Sequence, residues 1–296
     1  MSIMPKRVLV VYKKDAFQQY LEEQRDAHLV RLLRRRHPEV LEMQHAHRTH
    51  HATLAAVLRV LRALPIAYDL AARAQLTISK PYDLVISIGG DGTFLQAARQ
   101  LHDTPILGVN SDPQRSEAVF SAATPRTFPA LCRQALEGRL PELRLYRLRL
   151  TINGKSVAQR AINDVLICHD HPATMSRYRL QVRRRHELQK SSGLWVSTAA
   201  GSSSAVWAAG GQRLPWQTKR FQYRPRELYQ GRLSRPRLTG GVLPRSACLR
   251  VTWLMRHGAA FIDGPHVKIP LRFADQLTIS LSLEHPLRVL GLAPSP

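Results

Sequence analysis

At 296 residues and 33.5 kDa, the chain has room for one large or two ordinary domains, each able to bury its own core. A hydrophobic share of 44% against 22% charged excludes a largely disordered chain, and no run approaches the roughly 20 apolar residues that a membrane span needs. The net charge of +23 invites a polyanion partner, but 36 of the 44 basic residues are Arg scattered from Arg7 to Arg288, so nucleic acid is not expected as the main partner.

In chain order, Lys6 to Tyr12 is a β-branched run fit for a buried strand, soon followed by Lys13, Lys14 and Asp15. That opening is too short for the apolar core of a signal peptide. Helical spacing follows over Phe17 to His37 and again from Thr53 to Lys80, with Pro65 interrupting the second stretch. Tyr82 to Ile88 is a second strand, running directly into Gly89-Gly90-Asp91-Gly92-Thr93. Phe94, Leu95, Ala97, Ala98 and Leu101 then have the spacing of a helix's inward face, and Pro105 to Asn110 is a third strand. Strands separated by helices imply a parallel sheet with right-handed crossovers.

From about Pro125 the texture changes. One helix is expected over Phe128 to Glu137, followed by strands at Leu143 to Ile152 and Val157 to Cys168 around an Asn153-Gly154 turn. Tyr178, Leu180 and Val182 alternate with basic and polar residues in the period of a half-buried strand, and Arg183 to Arg185 read as a solvated hairpin turn. Leu214 to Pro244, rich in Arg and Pro, reads as a long loop region. Leu249 to Met255, Ala260 to Ile269 and Gln276 to Leu283 suggest an antiparallel meander with a turn at Asp263-Gly264. The expected organisation is an α/β nucleotide-binding domain over 1–125 and a β-rich dinucleotide-binding domain over 126–296, with the last residues able to return to the first. Cys132, Cys168 and Cys248 are odd in number and far apart, without metal-ligand spacing, as in a reduced cytoplasmic protein.

The sharpest chemical signal is the Gly89–Thr93 turn. A glycine-rich link from strand to helix lets backbone N–H groups approach a phosphate closely. Asp91 sits in the middle of it, where a carboxylate repels phosphate unless it accepts a proton or holds a metal; the plainer reading is a helix cap. Asn163 and Asp164 form a polar pair within an apolar run, which either bends the chain or faces a ligand. Gly193 to Thr198 is a strand entering the small-residue turn Ala199 to Ser204, whose hydroxyls and N–H groups suit a nucleotide.

These three elements in this order resemble the NAD kinase family, whose members carry GGDGT, an Asn-Glu or Asn-Asp pair and a TPTGSTAY-like turn ending in Gly-Gly. Gly108-Val109-Asn110-Ser111-Asp112-Pro113, Asn163-Asp164, Ser192 to Thr198, Phe221-Gln222-Tyr223 and Phe261 to Val267 resemble the branch of plant-type NADH kinases. The likeness runs over roughly residues 6 to 290. GGDGT alone is also shared with lipid and sphingoid-base kinases, and a non-catalytic dinucleotide- or nucleic-acid-binding protein is the other alternative.

The resemblance implies a kinase that moves the γ-phosphate of ATP, accompanied by Mg²⁺, to the adenosine ribose 2′-hydroxyl of NAD⁺ or NADH. Asp91 then acts on that hydroxyl. Gly89, Gly90, Gly92 and Thr93 hold phosphates, Asn163 and Asp164 hold the adenosine half, and Thr198, Gly201, Ser202 and Ser203 wrap it. It also implies a homo-oligomer. Three departures stand out. Asp164 is one methylene shorter than the usual Glu, Ala205 stands where an aromatic commonly stacks on the base, and Ser192 stands where a carboxylate often faces the nicotinamide end. Losing that charge weakens the preference for the cationic oxidised ring, since a pair ~4 Å apart is worth on the order of 1–4 kcal/mol. His169 and Arg224 are further candidates, His169 for binding and Arg224, with Arg226 in the loop after Tyr223, for donor phosphates. Trp195 and Trp253 are expected in the core. His45, His47, His50 and His51 are expected in a solvated loop or helix start, with a metal site as the minor reading; no resident metal is expected.

Overall fold

The computed structural model describes residues 7–232 and 235–294. Two compact units emerge, Met1–Leu143 with Arg288–Ala293, and Arg144–Leu287 with Pro294–Pro296. No helix among the described residues is long and apolar enough to cross a membrane.

The first unit is built on parallel strands β1 (Arg7–Tyr12), β2 (Ala67–Ala72), β3 (Leu84–Gly89) and β4 (Ile106–Asn110), in the order β2-β1-β3-β4. Lys6, which the sequence pattern includes in the first strand, lies outside the described residues. Every residue of β3 and β4 is buried, as expected of central parallel strands covered on both faces. The helices are α1 (Ala27–Arg34), α2 (Pro38–Arg62), α3 (Asp91–Ala98) and α4 (Phe128–Leu136). Along α2, Leu54, Val57 and Leu61 form the inward stripe that packs with Val8, Val10 and Ile86. Phe128, Cys132 and Leu136 of α4 join the same core. That shared core places α4 in the first unit, whereas the change in composition falls before it.

The helices differ from the sequence pattern in two places. Gln18–Glu23 is a π-helical turn rather than part of one long helix. The stretch expected as helix over 53–80 divides: α2 starts fifteen residues earlier than Thr53, at Pro38, whose fixed φ suits a first helical turn, and ends at Arg62. Pro65 stops the helix, and the chain beyond it forms strand β2 instead.

The second unit has two antiparallel sheets. One runs β9 (Arg185–Ser191), β8 (Ser176–Val182), β13 (Cys248–Trp253), β16 (Gln276–Leu290, whose last residues from Arg288 belong to the first unit), with β5 (Glu142–Ile152, in the second unit from Arg144 on) paired to β16 and to the two-residue β6 (Lys155–Ser156). The other runs β12 (Gly241–Pro244), β11 (Arg220–Arg226), β10 (Gly193–Thr198), β7 (Asp164–Cys168), β14 (Gly258–Ile262), β15 (Val267–Leu271). β8 alternates as its sequence predicts: Tyr178 and Leu180 are fully buried while Arg177 and Arg179 face solvent. Trp253, also fully buried, anchors this core together with Phe221, Val196 and Ile262. A buried side chain of this size stabilises by about 1.5–3 kcal/mol.

The late strands are not a meander. β13 pairs with β8 and β16, while the β14–β15 hairpin between them in sequence joins the other sheet beside β7. The segment 214–244 is likewise not a loop, because β11 and β12 extend the sheet edge beyond β10. The strand expected over Val157 to Cys168 shortens to Asp164–Cys168, and an isolated bridge joins Leu148 to Ala161 before it.

Candidate active site

In the first unit, β3 delivers the chain into the glycine turn at the carboxyl end of the sheet, where ligands of parallel sheets bind. Gly89 is required sterically, since a Cβ there would lie 2.5 Å from Thr93 Oγ1. Gly90 is the N-cap of α3, and Asp91 is its first helical residue. Asp91 therefore does not cap the helix; no side chain does. Its Oδ1 accepts from the Phe120 N–H at 3.0 Å, and Phe120 is fixed by stacking on Phe94 with centroids 5.1 Å apart. Burial pushes the Asp91 carboxyl above the usual range, against the pull of the Phe120 and Val119 N–H groups. A half-buried carboxylate with a raised proton affinity, at a helix N-terminus that favours anions, suits proton acceptance from a hydroxyl.

Thr93 is fully buried, and its Oγ1 accepts from Arg73 Nη1 at 3.2 Å, while Gly92 is exposed. Arg73 is a residue that sequence reasoning missed. It lay in the stretch expected as helix, whereas the turn after β2 brings its guanidinium to the glycine turn. Nothing in the local sequence distinguishes it from the other 35 arginines.

In the second unit, Asn163 and Asp164 are shaped by a residue a hundred positions away. The buried Asp263 accepts backbone N–H bonds from Ile162 (3.0 Å), Asn163 (2.7 Å) and Asp164 (3.1 Å). Asp164 is thus held beside a carboxylate. Burial first and the Asp263 charge second push its carboxyl up to about 7, with the Ser204 hydroxyl opposing. Ser204 Oγ donates to Asp164 Oδ2 at 3.3 Å and accepts from Asn163 Nδ2 at 3.3 Å.

The turn after β10 is stitched to that pair. Thr198 Oγ1 donates to the Ile162 carbonyl at 2.5 Å and accepts from Gly201 N–H at 3.1 Å; the Thr198 N–H reaches the Asn163 carbonyl at 3.0 Å. Gly201 passes so close that a Cβ would sit 2.2 Å from the Asn163 carbonyl oxygen. Ser202 is buried and accepts from the Leu214 N–H at 2.8 Å, whereas Ser203 is exposed. Asn163, Asp164, Thr198 and Gly201 therefore form one hydrogen-bonded cluster, in which Ser202 is turned toward the interior.

One recess adjoins this cluster, and a second lies at the other end of β7 and β10. An apolar cavity of about 320 Å³ is lined by Asp164, Leu166, Trp195, Phe261, Gly264 and Pro265. Trp195 is consequently half-exposed in a cavity wall rather than core, while Trp253 is core as expected. A second recess, about 200 Å³, brings Ser192 and His169 together with Arg226, Asp170 and Glu227, so its charge is mixed. Arg226 also lies over the Trp195 ring at 5.8 Å. Both Arg224 and Arg226 belong to strand β11 and not to a loop. Arg224 donates from Nε to the Ala209 carbonyl at 2.9 Å and adjoins a separate small recess with Gly210, Gln222 and Gly240.

With this geometry in hand, likeness to known proteins is informative. Residues 2–139 match the ATP-NAD kinase N-terminal domain. A probable NADH kinase of Oryza sativa subsp. japonica is 35% identical over 220 residues, covering 67% of this chain and 68% of the rice protein. The chain belongs to the NAD kinase family. An Arabidopsis thaliana NADH kinase is 29% identical over 271 residues, 83% of this chain and 85% of its own. The fold agrees with the same family: the crystal structure of an NAD kinase from Archaeoglobus fulgidus in complex with ATP superposes with a TM-score of 0.63 at 20% identity, over 96% of this chain and 92% of the other. An α/β first unit and a β-rich second unit are thus the family's architecture.

Proposed function

We propose that this chain is an NAD(H) kinase that transfers the γ-phosphate of Mg·ATP to the adenosine ribose 2′-hydroxyl of NAD⁺ and NADH. The observation that carries the reading is Asp91, a carboxylate held by a backbone N–H inside a glycine turn otherwise suited to phosphate, in a chain of the NAD kinase family. In the reaction the 2′-oxygen attacks the γ-phosphorus, the bond to the β,γ-bridging oxygen breaks, and ADP leaves. The hydroxyl proton passes to Asp91 and then to solvent. Such transfers need alignment and charge neutralisation more than covalent help. The Gly89–Thr93 backbone and the Arg73 guanidinium supply positive character for the phosphates. Asn163 and Asp164 hold the adenosine half, Thr198 and Gly201 set the turn that wraps it, and Ser202 braces that turn from beneath.

Mg²⁺ enters with ATP as part of the substrate. One carboxylate at the turn suits an ion that keeps its waters and rides on nucleotide phosphates. The neutral Ser192 hydroxyl, in a recess of mixed charge, gives the reduced and oxidised rings comparable access. By family resemblance the enzyme works as a homo-oligomer in the cytoplasm, where its three free cysteines would stay reduced.

The test is NADP(H) formation by the purified chain with Mg·ATP, offering NAD⁺ and NADH separately. Turnover is expected with both acceptors, and Asp91→Asn should lower kcat by about 10²-fold or more. Folded protein that phosphorylates neither acceptor, or an Asp91→Asn variant of unchanged rate, would overturn the assignment.

A further inference from the structure

The histidine-rich stretch of α2 is placed differently from its sequence-level expectation. It lies in the middle of a 25-residue helix, so His47 and His51 stand one turn apart on the same face. Their ring centroids are 4.3 Å apart. Asp15, buried in the segment after β1, brings Oδ2 to 3.0 Å from His47 Nδ1 and 3.5 Å from His51 Nε2. One ligand atom from each of the three residues lies within 4.8 Å of the other two.

These separations have a chemical meaning. A tetrahedral ion with bonds of about 2.0–2.1 Å to nitrogen and oxygen sets neighbouring ligand atoms roughly 3.3–3.4 Å apart. The distances from Asp15 bracket that span. His51 Nε2 is a buried nitrogen with no hydrogen-bond partner among the described residues, a state that ligation would relieve. The other ring nitrogen of His47, Nε2, lies 3.6 Å from the Glu22 carboxylate, the outer-shell contact that orients a ligating imidazole. The Asp15 carboxylate is itself fixed, with Oδ1 accepting from the Gln18 N–H at 3.1 Å, and Phe17 packs against the His47 ring with centroids 5.0 Å apart. His50 is turned away, its Nε2 against the Lys13 carbonyl at 3.0 Å, and takes no part.

We propose that Asp15, His47 and His51 form a binding site for a divalent ion of the zinc class, with water completing the coordination. Two imidazoles and one carboxylate select zinc or cobalt over magnesium and calcium, which prefer oxygen. The site is separate from the nucleotide's Mg²⁺. It follows β1, whereas the glycine turn follows β3, the neighbouring parallel strand. Its ion would pin α2 to the segment after β1, beside the point where Thr53 Oγ1 of the same helix donates to the Ser111 carbonyl at 3.0 Å.

The test uses the untagged full chain, stripped with a chelator and dialysed. Zn²⁺ is titrated calorimetrically, and Co²⁺ is followed by the visible absorption of its four-coordinate form. One ion per chain is expected, with a four-coordinate cobalt spectrum and a rise in Tm on zinc addition. His51→Ala and Asp15→Asn should each weaken binding by about tenfold or more and abolish the cobalt spectrum. His28→Ala, on an exposed position of α1, should leave binding unchanged. No bound ion, or equal affinity in the parent and His51→Ala, would overturn the site. Because His51 is partly exposed, its variant is expected to fold, and an unaltered far-UV spectrum and NADP(H) turnover would establish that it has.

Discussion

Asp263 shows how one carboxylate fixes another's chemistry. Three backbone N–H groups converge on it and hold it beside Asp164, whose carboxyl is pushed up by burial first and by the Asp263 charge second. The consequence for stability has a definite sign. Unfolded, Asp164 titrates near the ordinary 3.8; folded, near about 7. Between those values the folded chain binds a proton that the unfolded chain has released, so this group's contribution to stability falls as pH rises from about 4 to about 7. Asparagine cannot ionise. Asp164→Asn should therefore match the parent near pH 4 and exceed it by about 1–4 kcal/mol at pH 8, read from urea midpoints. The buried His50, held down to about 4, contributes the opposite slope, but equally in both proteins. Parent and variant losing stability in parallel across that interval would refute the argument. In the sequence, Asn163-Asp164 announced itself as a polar pair in an apolar run. Its partner did not, because Asp263-Gly264 has the form of an ordinary turn and nothing local links positions a hundred residues apart.

The elements were legible in proportion to how much their own residues decide. The glycine turn is a local object: an apolar strand, a close approach only glycine permits, and a helix with an evident inward face. The period of β8 likewise fixes which side chains are buried. Strand partners are a different matter, since alternation marks a strand without naming its neighbour, and the β14–β15 hairpin goes to the sheet of β7 although it is flanked in sequence by strands of the other. α2 was misplaced because a His-rich run is a poor helix former by propensity, and the buried stripe of Leu54, Val57 and Leu61 overrides it. At this scale Gly201 offers a clean test. A methyl group there meets the Asn163 carbonyl oxygen at 2.2 Å and its side-chain oxygen at 2.6 Å, so the turn must move. Gly201→Ala should destabilise the fold by about 1–3 kcal/mol and raise KM for the dinucleotide more than it lowers kcat. Unchanged unfolding midpoints and KM would show that the turn has slack the packing does not suggest.

Over the whole molecule, the +23 charge is carried on solvent-facing positions such as Arg177, Arg179 and the Arg183–Arg184 turn. Its effect on a polyanionic substrate is long-range and is screened by salt: the Debye length contracts from ~30 Å at 0.01 M to ~3 Å at 1 M. KM for Mg·ATP should rise severalfold across that range with kcat little changed, and a flat KM would mean that the basic surface plays no part in capture. The sequence shows this charge plainly but not where it lies, because its arginines are spread along the entire chain.

The division of the chain also matters for how the protein comes into being. Arg288–Ala293 complete the first unit, with Val289 beside Ile106 at the start of β4 and Leu290 in the shared core. Everything between Arg144 and Leu287 must be synthesised before those residues exist. The half that begins to emerge first from the ribosome is therefore completed only after nearly all of the other half has been made, and until then the flank of β4 waits for a strand that is still untranslated.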